Sequence, residues 1–397
     1  MKTTPDPLSF ARQRRITTLL SVALALGAII IELRGQPPLL TNDGFAVPQP
    51  NHPFNFPRDH GSHPEFKIEW WYLTGHLFDD KGHRFGFQAT FFRQANSDGP
   101  NRSAPSATSA NAPVTPSPAF GYDQIFLAHF ALTDVQSNHF YFQERLNREG
   151  WDASASASTL DVRNGPWSLR LVESPKNQLE LHGSIRGEAS LALTFTPQKP
   201  LVRFGENGVS RKGAEPTAAS YYLTFPRLHA EGTVSIGGNK ATVAGEAWMD
   251  HEISSSQLGA RQIGWDWLSI QFADQRELML YRLRHRDGSA DAASICTWIE
   301  KDSTLHPTEF GWEVLDTWQS STSGARYPSR VRLSTNDPAT GIKQHFTIEP
   351  LVKNQELTGQ IDNIPYWEGA CRVLDETGKN VGAAYLELTG YAKDLRL

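Results

Sequence analysis

Two segments of the chain repeat one apolar pattern, and this repeat limits the fold more than any other feature. The first begins at Ile68 and reads IEWWYLTGHLFD; the second begins at Ile263 and reads IGWDWLSIQFAD. Isoleucine, tryptophan, a second aromatic, leucine, a hydroxyl residue and aspartate coincide without a gap. A turn and a second apolar strand follow in both, ending at Arg93 and Arg284. We predict an internal duplication with two similar β-domains; chance likeness between two aromatic strands is the alternative.

Short apolar runs alternate with turn signals throughout the chain. The runs KIEWWYLTGHLFDD and HRFGFQATFFR, joined by Lys-Gly, predict a β-hairpin. Further runs of strand length continue to the C-terminus, and few stretches keep a helical period. The 31 glycines and 25 prolines agree with many turns. We therefore predict an all-β chain built from sandwiches or barrels.

Composition sets the expected segment limits. We predict a signal peptide or membrane anchor at 1–35, an extended tether at 36–64, an N-terminal β-domain at 65–235 and a C-terminal β-domain at 236–397. Residues 95–120 are rich in Ser, Ala, Pro and Asn without an apolar pattern, which predicts a flexible insertion in the first domain.

The N-terminus carries a targeting signal. Arg12, Arg14 and Arg15 precede an uncharged apolar run from Ile16 to Ile31. A basic region before such a run directs membrane insertion or export, and the positive-inside rule leaves the first residues in the cytoplasm. We expect the protein on the periplasmic side of the inner membrane or secreted, with this hydrophobic helix as an anchor or a signal peptide. A buried helix of a soluble domain is the alternative.

Charge and motifs argue against several classes of protein. The formal net charge of -5 gives no basic footprint for nucleic acid. No Walker A, Rossmann or G-x-S-x-G motif is present, and no Cys/His spacing suggests zinc, so we expect no cofactor and no metal. Cys296 and Cys371 are the two cysteines, and either a disulfide or two buried thiols fits an exported chain.

Alternation along the repeated strands separates two faces. In each copy one face is apolar, whereas the other combines large aromatic rings with hydrogen-bonding groups. These mixed faces hold Trp70, Tyr72, Thr74 and His76 in the first copy and Trp265, Trp267, Ser269 and Gln271 in the second. A mostly apolar surface with a few orienting polar groups is typical of a ligand-binding wall. Aromatic packing between domains is the alternative.

Asp266 interrupts the apolar face of the second copy, at the position that Trp71 occupies in the first. A carboxylate in apolar surroundings must be paired or protonated. A carboxylic acid kept neutral near pH 7 can serve as a general acid. The alternative is a salt bridge to Arg261, Arg282 or Arg284.

The densest polar cluster of the sequence lies between Glu246 and Trp267. Asp250, His251 and Glu252 are consecutive there, so on a strand the two acids face together and the histidine faces away. Acid/base work, a structural turn, or metal ligation with a distant residue such as His129 remain open.

Four blocks of the sequence are similar to one known family. HPEFKIEWWYLTGHL, GFQATFFR, AHFALTD and GEAWMDHEISSSQLGARQIGWDWLSIQ resemble the lipocalin-like family of carotenoid 1,2-hydratase (hydroxyneurosporene synthase) and AttH-type proteins, including its "predicted secreted hydrolase" branch. The resemblance runs from about Glu65 to the C-terminus. It implies two tandem lipocalin-like β-barrel domains and export.

The hydratase branch adds water to the terminal double bond of an acyclic carotenoid. The resemblance implies acid and water-positioning roles for Asp250, His251 and Asp266, with tryptophan faces stabilising a cation. In that branch an aromatic residue stands two places after the histidine of the Asp-His pair, where this chain has Ile253. The sequence therefore fits the broader branch better than the hydratases.

Two functions follow from these observations. The first is a carrier that binds a hydrophobic molecule such as a lipid or an isoprenoid. The second is a hydratase- or hydrolase-like enzyme that acts on such a molecule by acid/base chemistry. The residues expected to contact the ligand are Trp70, Tyr72, His129, Trp248, Glu252, Trp265 and Trp267. The oligomeric state does not follow from the sequence.

Overall fold

The computed structural model describes residues 37–95, 124–150, 152–172, 177–361 and 363–395. The predicted N-terminal helix and nearly all of the predicted insertion lie outside these residues. In the described part of the chain, no helix is long and apolar enough to cross a membrane.

The first sheet contains thirteen strands among the described residues. They are β1 Ile68–Asp79, β2 Arg84–Ala95, β3 Gln124–Asp134, β4 His139–Arg148, β5 Ala153–Ala155, β6 Asp161–Asn164, β7 Trp167–Val172, β8 Gln178–Ile185, β9 Ala189–Pro197, β10 Val202–Phe204, β11 Ser210–Arg211, β12 Ala219–Ile236 and β13 Asn239–Ser256. The order is β4-β3-β2-β1-β13-β12-β9-β8-β7-β6-β5, with β10 and β11 also paired to β12. The predicted hairpin is β1–β2, and its turn contains Gly82 at a φ of 79°, a conformation that favours glycine.

The second sheet contains ten strands in the same part of the chain. They are β14 Gln262–Phe272, β15 Glu277–His285, β16 Ile295–Ile299, β17 Leu305–Thr308, β18 Phe310–Gln319, β19 Arg326–Asn336, β20 Lys343–Pro350, β21 Glu356–Leu357, β22 Tyr366–Leu374 and β23 Asn380–Leu388. The order is β17-β16-β15-β14-β23-β22-β20-β19-β18, with β21 paired to β22. The one helix described is a short 3-10 turn, Arg58–His60.

The two sheets share one strand order. In each, the first strand lies between the second strand and the last: β1 pairs with β2 and β13, and β14 pairs with β15 and β23. The predicted duplication requires such a match in strand order. The all-β prediction is confirmed. The change of sheet falls between Ser256 and Gln262, later than the domain boundary predicted at 236. Consequently β13, which carries Asp250, His251 and Glu252, belongs to the first sheet.

Each sheet curls around its own apolar core. The inward side chains of β1, including Trp71 and Leu73, pack with residues of distant strands such as Trp167 and Phe195. Phe130 of β3 crosses to β8, where a Cβ built on Gly183 would lie 2.2 Å from its ring. Glycine at this position therefore lets the two walls of the curled sheet approach.

The core of the second sheet is built in the same way. Leu268 and Ile270 of β14 pack with Trp298 and other buried side chains. Cys296 and Cys371 lie in this core as free, buried thiols, so the disulfide alternative is not what the structure shows. Full burial of each large apolar side chain contributes about 1.5–3 kcal/mol to folding.

The outer faces of β1 and β14 pack against each other within one compact unit, Leu39–Leu397. The ring of Tyr72 meets the ring of Trp267 edge to face, with 5.0 Å between centroids. Polar groups of the same faces also bridge the sheets, since the amide of Gln271 donates to the carbonyls of Pro226 and Ala247. The mixed faces predicted from the sequence thus form the interface between the sheets.

The described part of the predicted tether packs against the first sheet. Phe45 and Val47 are buried, and the hydroxyl of Ser255 on β13 donates to the carbonyl of Ala46. The indole of Trp71 also donates to the carbonyl of His60, so parts of the segment 39–64 are attached to the first sheet.

Candidate functional site

A cavity of about 350 Å³ lies between the outer faces of the two sheets. Its walls are mainly apolar and include aromatic rings from both copies of the repeat: Trp70, Tyr72, Phe92, Trp265, Trp267 and Tyr281. The volume is at the lower end of the range for small-molecule sites. The interiors of the curled sheets are filled by side chains, so the cavity lies outside both of them.

Six of the seven predicted ligand contacts line this cavity: Trp70, Tyr72, His129, Glu252, Trp265 and Trp267. His129 enters from β3, and its Nδ1 lies 2.7 Å from the hydroxyl oxygen of Tyr366. Trp248 lies behind the wall, fully buried, with its ring against that of Trp267. Residues that were predicted to share a face, because side chains alternate along a strand, therefore lie around one cavity in the structure.

Asp250 lines the cavity, and Tyr222, Thr224 and Trp248, which donate hydrogen bonds to it, are all neutral. The hydroxyl of Tyr222 donates to Oδ2 at 2.7 Å, and the hydroxyl of Thr224 donates to Oδ1 at 2.5 Å. The indole of Trp248 also donates to Oδ1, at 2.7 Å. Burial raises the pKa of Asp250 to about 7, although these hydrogen bonds oppose the rise. Asp250 therefore titrates near neutral pH.

Glu252 lines the cavity two residues further along the same face of β13. Its Oε2 lies 2.9 Å from the ammonium nitrogen of Lys212, and the hydroxyl of Ser220 donates to the same oxygen at 2.5 Å. Burial acts to lower the pKa of Lys212, but Glu252, Tyr281 and Asp250 together outweigh burial and raise this pKa. The ammonium also lies over the ring of Tyr281, 4.0 Å from its centroid. Glu252 is thus the ion-paired neighbour of Asp250.

The second sheet contributes Glu387 on β23, which sequence reasoning missed. The indole of Trp265 donates to its Oε2 at 2.8 Å, and burial raises the pKa of Glu387 to about 7. β23 occupies the place in the second sheet that β13 occupies in the first, beside the first strand of its copy. The equivalent positions of β13 and β23 are the signal that could have identified Glu387, because the sequence around Glu387 is that of an ordinary strand.

His251 faces away from the cavity, as alternation predicts, and belongs to a buried ionic cluster inside the first sheet. Its ring stacks on that of Trp71, and its Nε2 lies 2.9 Å from Oε1 of Glu69. His63 Nδ1 lies 2.8 Å from the same oxygen, and Arg93 Nε donates to Oε2 at 3.0 Å. Burial would raise the pKa of Glu69, but these partners hold it well below its usual range.

The same cluster is the place in the described chain where ligand atoms for a metal come together. Potential ligand atoms of His63, Glu69 and His251 all lie within 4.8 Å of one another. Imidazole nitrogens and a carboxylate oxygen suit zinc and similar ions. The guanidinium of Arg93 occupies the second oxygen of Glu69, so a cation would have to bind beside an existing positive charge. The hydrogen bonds already occupy both oxygens of Glu69, and they attach the segment around His63 to the sheet.

Asp266 lies on the inner face of the second sheet and is fully buried. Its two oxygens lie 2.9 Å from Arg282 and 2.8 Å from Arg284, and the hydroxyl of Tyr391 donates to it at 2.9 Å. The salt-bridge alternative for Asp266 is therefore confirmed. The structure does not bring together the three predicted catalytic residues: of them, Asp250 alone lines the cavity.

Fold and site together define a class of protein: two curled, matching β-sheets that hold an aromatic, acid-bearing cavity between them. Residues 47–391 match the model of the AttH-like family. The chain belongs to this family, which confirms the resemblance found in the sequence.

Solved structures share the fold. A putative AttH from Nitrosomonas europaea is 30% identical with a TM-score of 0.74, and the match covers 87% of this chain and 100% of that one. Kievitone hydratase from Nectria haematococca is 14% identical with a TM-score of 0.61, covering 90% and 99%. CghA with Sch210972 is 11% identical with a TM-score of 0.52, covering 89% and 98%. The last two show the fold alone, and a search of curated proteins finds no significant match.

Proposed function

We propose that this protein binds an apolar small molecule of the lipid or isoprenoid type in the cavity between its two sheets. The observation that carries the proposal is the wall itself, because aromatic rings of both repeat copies converge on one space. Polar groups within this wall, chiefly Asp250, Glu252 and Glu387, would orient a ligand that is otherwise held by apolar contact.

Binding of a neutral lipophilic fluorophore, N-phenyl-1-naphthylamine, tests this proposal. Trp265→Ala and Tyr72→Ala remove cavity walls and should each weaken binding about tenfold, equivalent to about 1.4 kcal/mol. Phe78→Ala is the matched control, since Phe78 lies on the same strand as Tyr72 but is exposed to solvent. Equal affinity in all three variants would contradict binding in this cavity.

A second function, acid-catalysed hydration of an alkene, is favoured by one observation: the neutral partners of Asp250 and its pKa of about 7. In the protonated form Asp250 would give its proton to one alkene carbon, and the oxygen of a water molecule would bond to the other. The surplus proton of that water would return to the Asp250 carboxylate, which leaves a neutral alcohol and restores the acid. The surrounding aromatic faces would stabilise the intermediate cation. The kievitone hydratase among the fold relatives supports the choice of hydration over other acid-catalysed reactions.

The test of hydration uses an isoprenoid alkene in oxygen-18 water, with mass spectrometry to detect the addition of one labelled water. Asp250→Asn should reduce turnover by roughly a hundredfold or more, because it removes the acid. The same variant should bind the fluorophore as the wild type does, because an uncharged side chain of equal shape remains. Labelled product at the wild-type rate in Asp250→Asn would exclude Asp250 as the acid.

We also propose that the apolar run from Ile16 to Ile31 brings the protein to the inner membrane for export. Its support is the basic region before the run and the absence of charge within it. Fractionation of cells that express the full chain should find it in the membrane or the periplasm. The double variant Leu24→Arg and Leu26→Arg should stay in the cytoplasm, and an unchanged distribution would contradict the proposal.

A further inference from the structure

A buried acid beside the cavity has no role in the functions proposed above. Glu368 on β22 is 1% exposed, and neither of its carboxyl oxygens has a partner with full hydrogen-bond geometry among the described residues, although the hydroxyls of Tyr72 and Tyr366 lie close enough to affect its pKa. The hydroxyls of Tyr72 and Tyr385 are likewise buried without a partner in that part of the chain. Buried polar groups in native proteins nearly always find a partner, so three unpaired groups in one place require an explanation.

The strand register brings these three groups together at the cavity wall. Glu368 lies directly opposite Glu387, and Tyr385 is two residues before Glu387 on the same face of β23. Tyr72 faces them from β1, and both Tyr72 and Glu387 line the cavity. The unpaired groups therefore lie immediately behind the wall that a ligand would contact.

Charge determines what this group of side chains can bind. Burial, and then the charge of Glu387, hold the pKa of Glu368 well above its usual range, so Glu368 carries its proton. The nearby hydroxyls of Tyr72 and Tyr366 act in the opposite direction without outweighing burial. A carboxylic acid and two phenols each offer one O–H donor and one or more acceptor positions. An uncharged hydroxyl oxygen donates one hydrogen bond and accepts up to two, so it can pair with donors and acceptors of this group at the same time, whereas an ion cannot.

We propose that Glu368, Tyr72 and Tyr385 form an oxygen site that binds a hydroxyl group at the cavity wall. In the free protein the hydroxyl belongs to a water molecule, and in the complex it belongs to the ligand. The inference rests on the proposed binding of an apolar molecule and adds its class: an apolar molecule that carries an alcohol. An alcohol is also what the proposed hydration would yield.

Two probes that differ by one hydroxyl test the oxygen site: farnesol and the hydrocarbon that lacks its oxygen. Each is titrated against the fluorophore bound to the full chain. Wild-type protein should prefer farnesol about tenfold, since a hydrogen bond to a buried acid is retained only by the alcohol. Glu368→Leu should bind both probes with equal affinity, and Glu368→Gln should keep part of the preference.

Thermal melting separates this role from a structural one. Glu368→Leu should keep or raise the melting temperature, because a buried carboxyl that only a water molecule would hold is replaced by an apolar group of similar size. Glu356→Leu is the matched control. Glu356 is also buried, but Ser320, Ser323 and Tyr327 donate to it. That control should melt earlier and keep the preference for farnesol.

The outcomes distinguish the two proposals. If the fluorophore binds but wild-type protein takes both probes equally, the oxygen site is overturned and the apolar cavity stands. If no fluorophore binds, the proposed function fails, and crystal structures without and with farnesol decide the oxygen site separately. Water density beside Glu368 in the first, and the alcohol oxygen in the second, would support the site. Glu368 turned to pair with a protein group in both crystals would overturn it.

Discussion

Asp250 and Asp266 are both buried aspartates on long strands, yet their surroundings differ completely. Asp266 lies between Arg282 and Arg284 on the inner face of its sheet. Asp250 lies on an outer face, beside the cavity, and receives hydrogen bonds from neutral donors. Both side chains are buried. Two guanidinium groups reach Asp266, whereas Asp250 has neutral donors and burial raises its pKa to about 7.

The interiors of the sheets and the space between them differ in the same way: the acids Glu69 and Asp266 inside the sheets are paired with arginines, whereas Asp250 in the cavity has neutral partners. Each sheet fastens its first two strands with a buried acid and an arginine, Glu69 with Arg93 and Asp266 with Arg284. These pairs are structural devices that the two copies share. The cavity instead takes its acids from both sheets, so the proposed function lies at the interface between them.

The largest effect on stability is expected where a buried charge loses its cation. Arg93→Met leaves the fully buried carboxylate of Glu69 without its guanidinium and should lower the free energy of unfolding by about 3–5 kcal/mol. Urea denaturation measures this change. Arg170→Met, which breaks an exposed pair with Glu180, is the control and should cost less than about 1 kcal/mol. A similar loss of unfolding free energy in Arg93→Met and Arg170→Met would mean that Glu69 is not a buried charge that depends on Arg93.

A smaller loss is expected for Asp266→Asn, which leaves two arginines without their carboxylate. We expect about 3 kcal/mol in urea denaturation, with fluorophore affinity unchanged. Asp250→Asn at pH 6 should cost less than about 1 kcal/mol, since the native side chain is then mostly uncharged. Loss of fluorophore binding in Asp266→Asn would contradict the structural role of Asp266. Unfolding of Asp250→Asn would contradict the assignment of Asp250 to the cavity.

The smallest effect is the pH dependence of ligand affinity. Asp250 and Glu387 lose their protons as the pH rises through about 7, which places charge in the apolar cavity. Fluorophore affinity should therefore fall severalfold between pH 6 and pH 8, and stability should also decline as the pH rises from the unfolded pKa values towards 7. The double variant Asp250→Asn and Glu387→Gln should bind with little change over this range. A dependence that persists in the double variant would assign the titration to other groups.

The sequence predicted what depends on local alternation. The all-β class, the repeat and the mixed faces with Trp70 and Trp265 follow from a period of two, which is independent of distant contacts. The same rule placed Asp250 and Glu252 on one face and His251 on the other, as the structure has them.

What depends on pairing between distant strands could not be predicted. Glu387, Lys212 and Tyr222 come to the cavity from separate segments of the chain, and no local pattern marks them. The expectation that chemistry would centre on Asp266 met the same obstacle. Its arginine partners become certain only when the register of β14 and β15 is known, because that register places Arg282 directly opposite.

The position of a bound apolar ligand tests the central claim most directly. Crystals soaked with a brominated fatty acid would reveal the bromine by its anomalous scattering. We predict the bromine peak between the two sheets, against the rings of Trp70 and Trp265. A peak inside either curled sheet, among residues such as Leu73 or Leu268, would contradict the account.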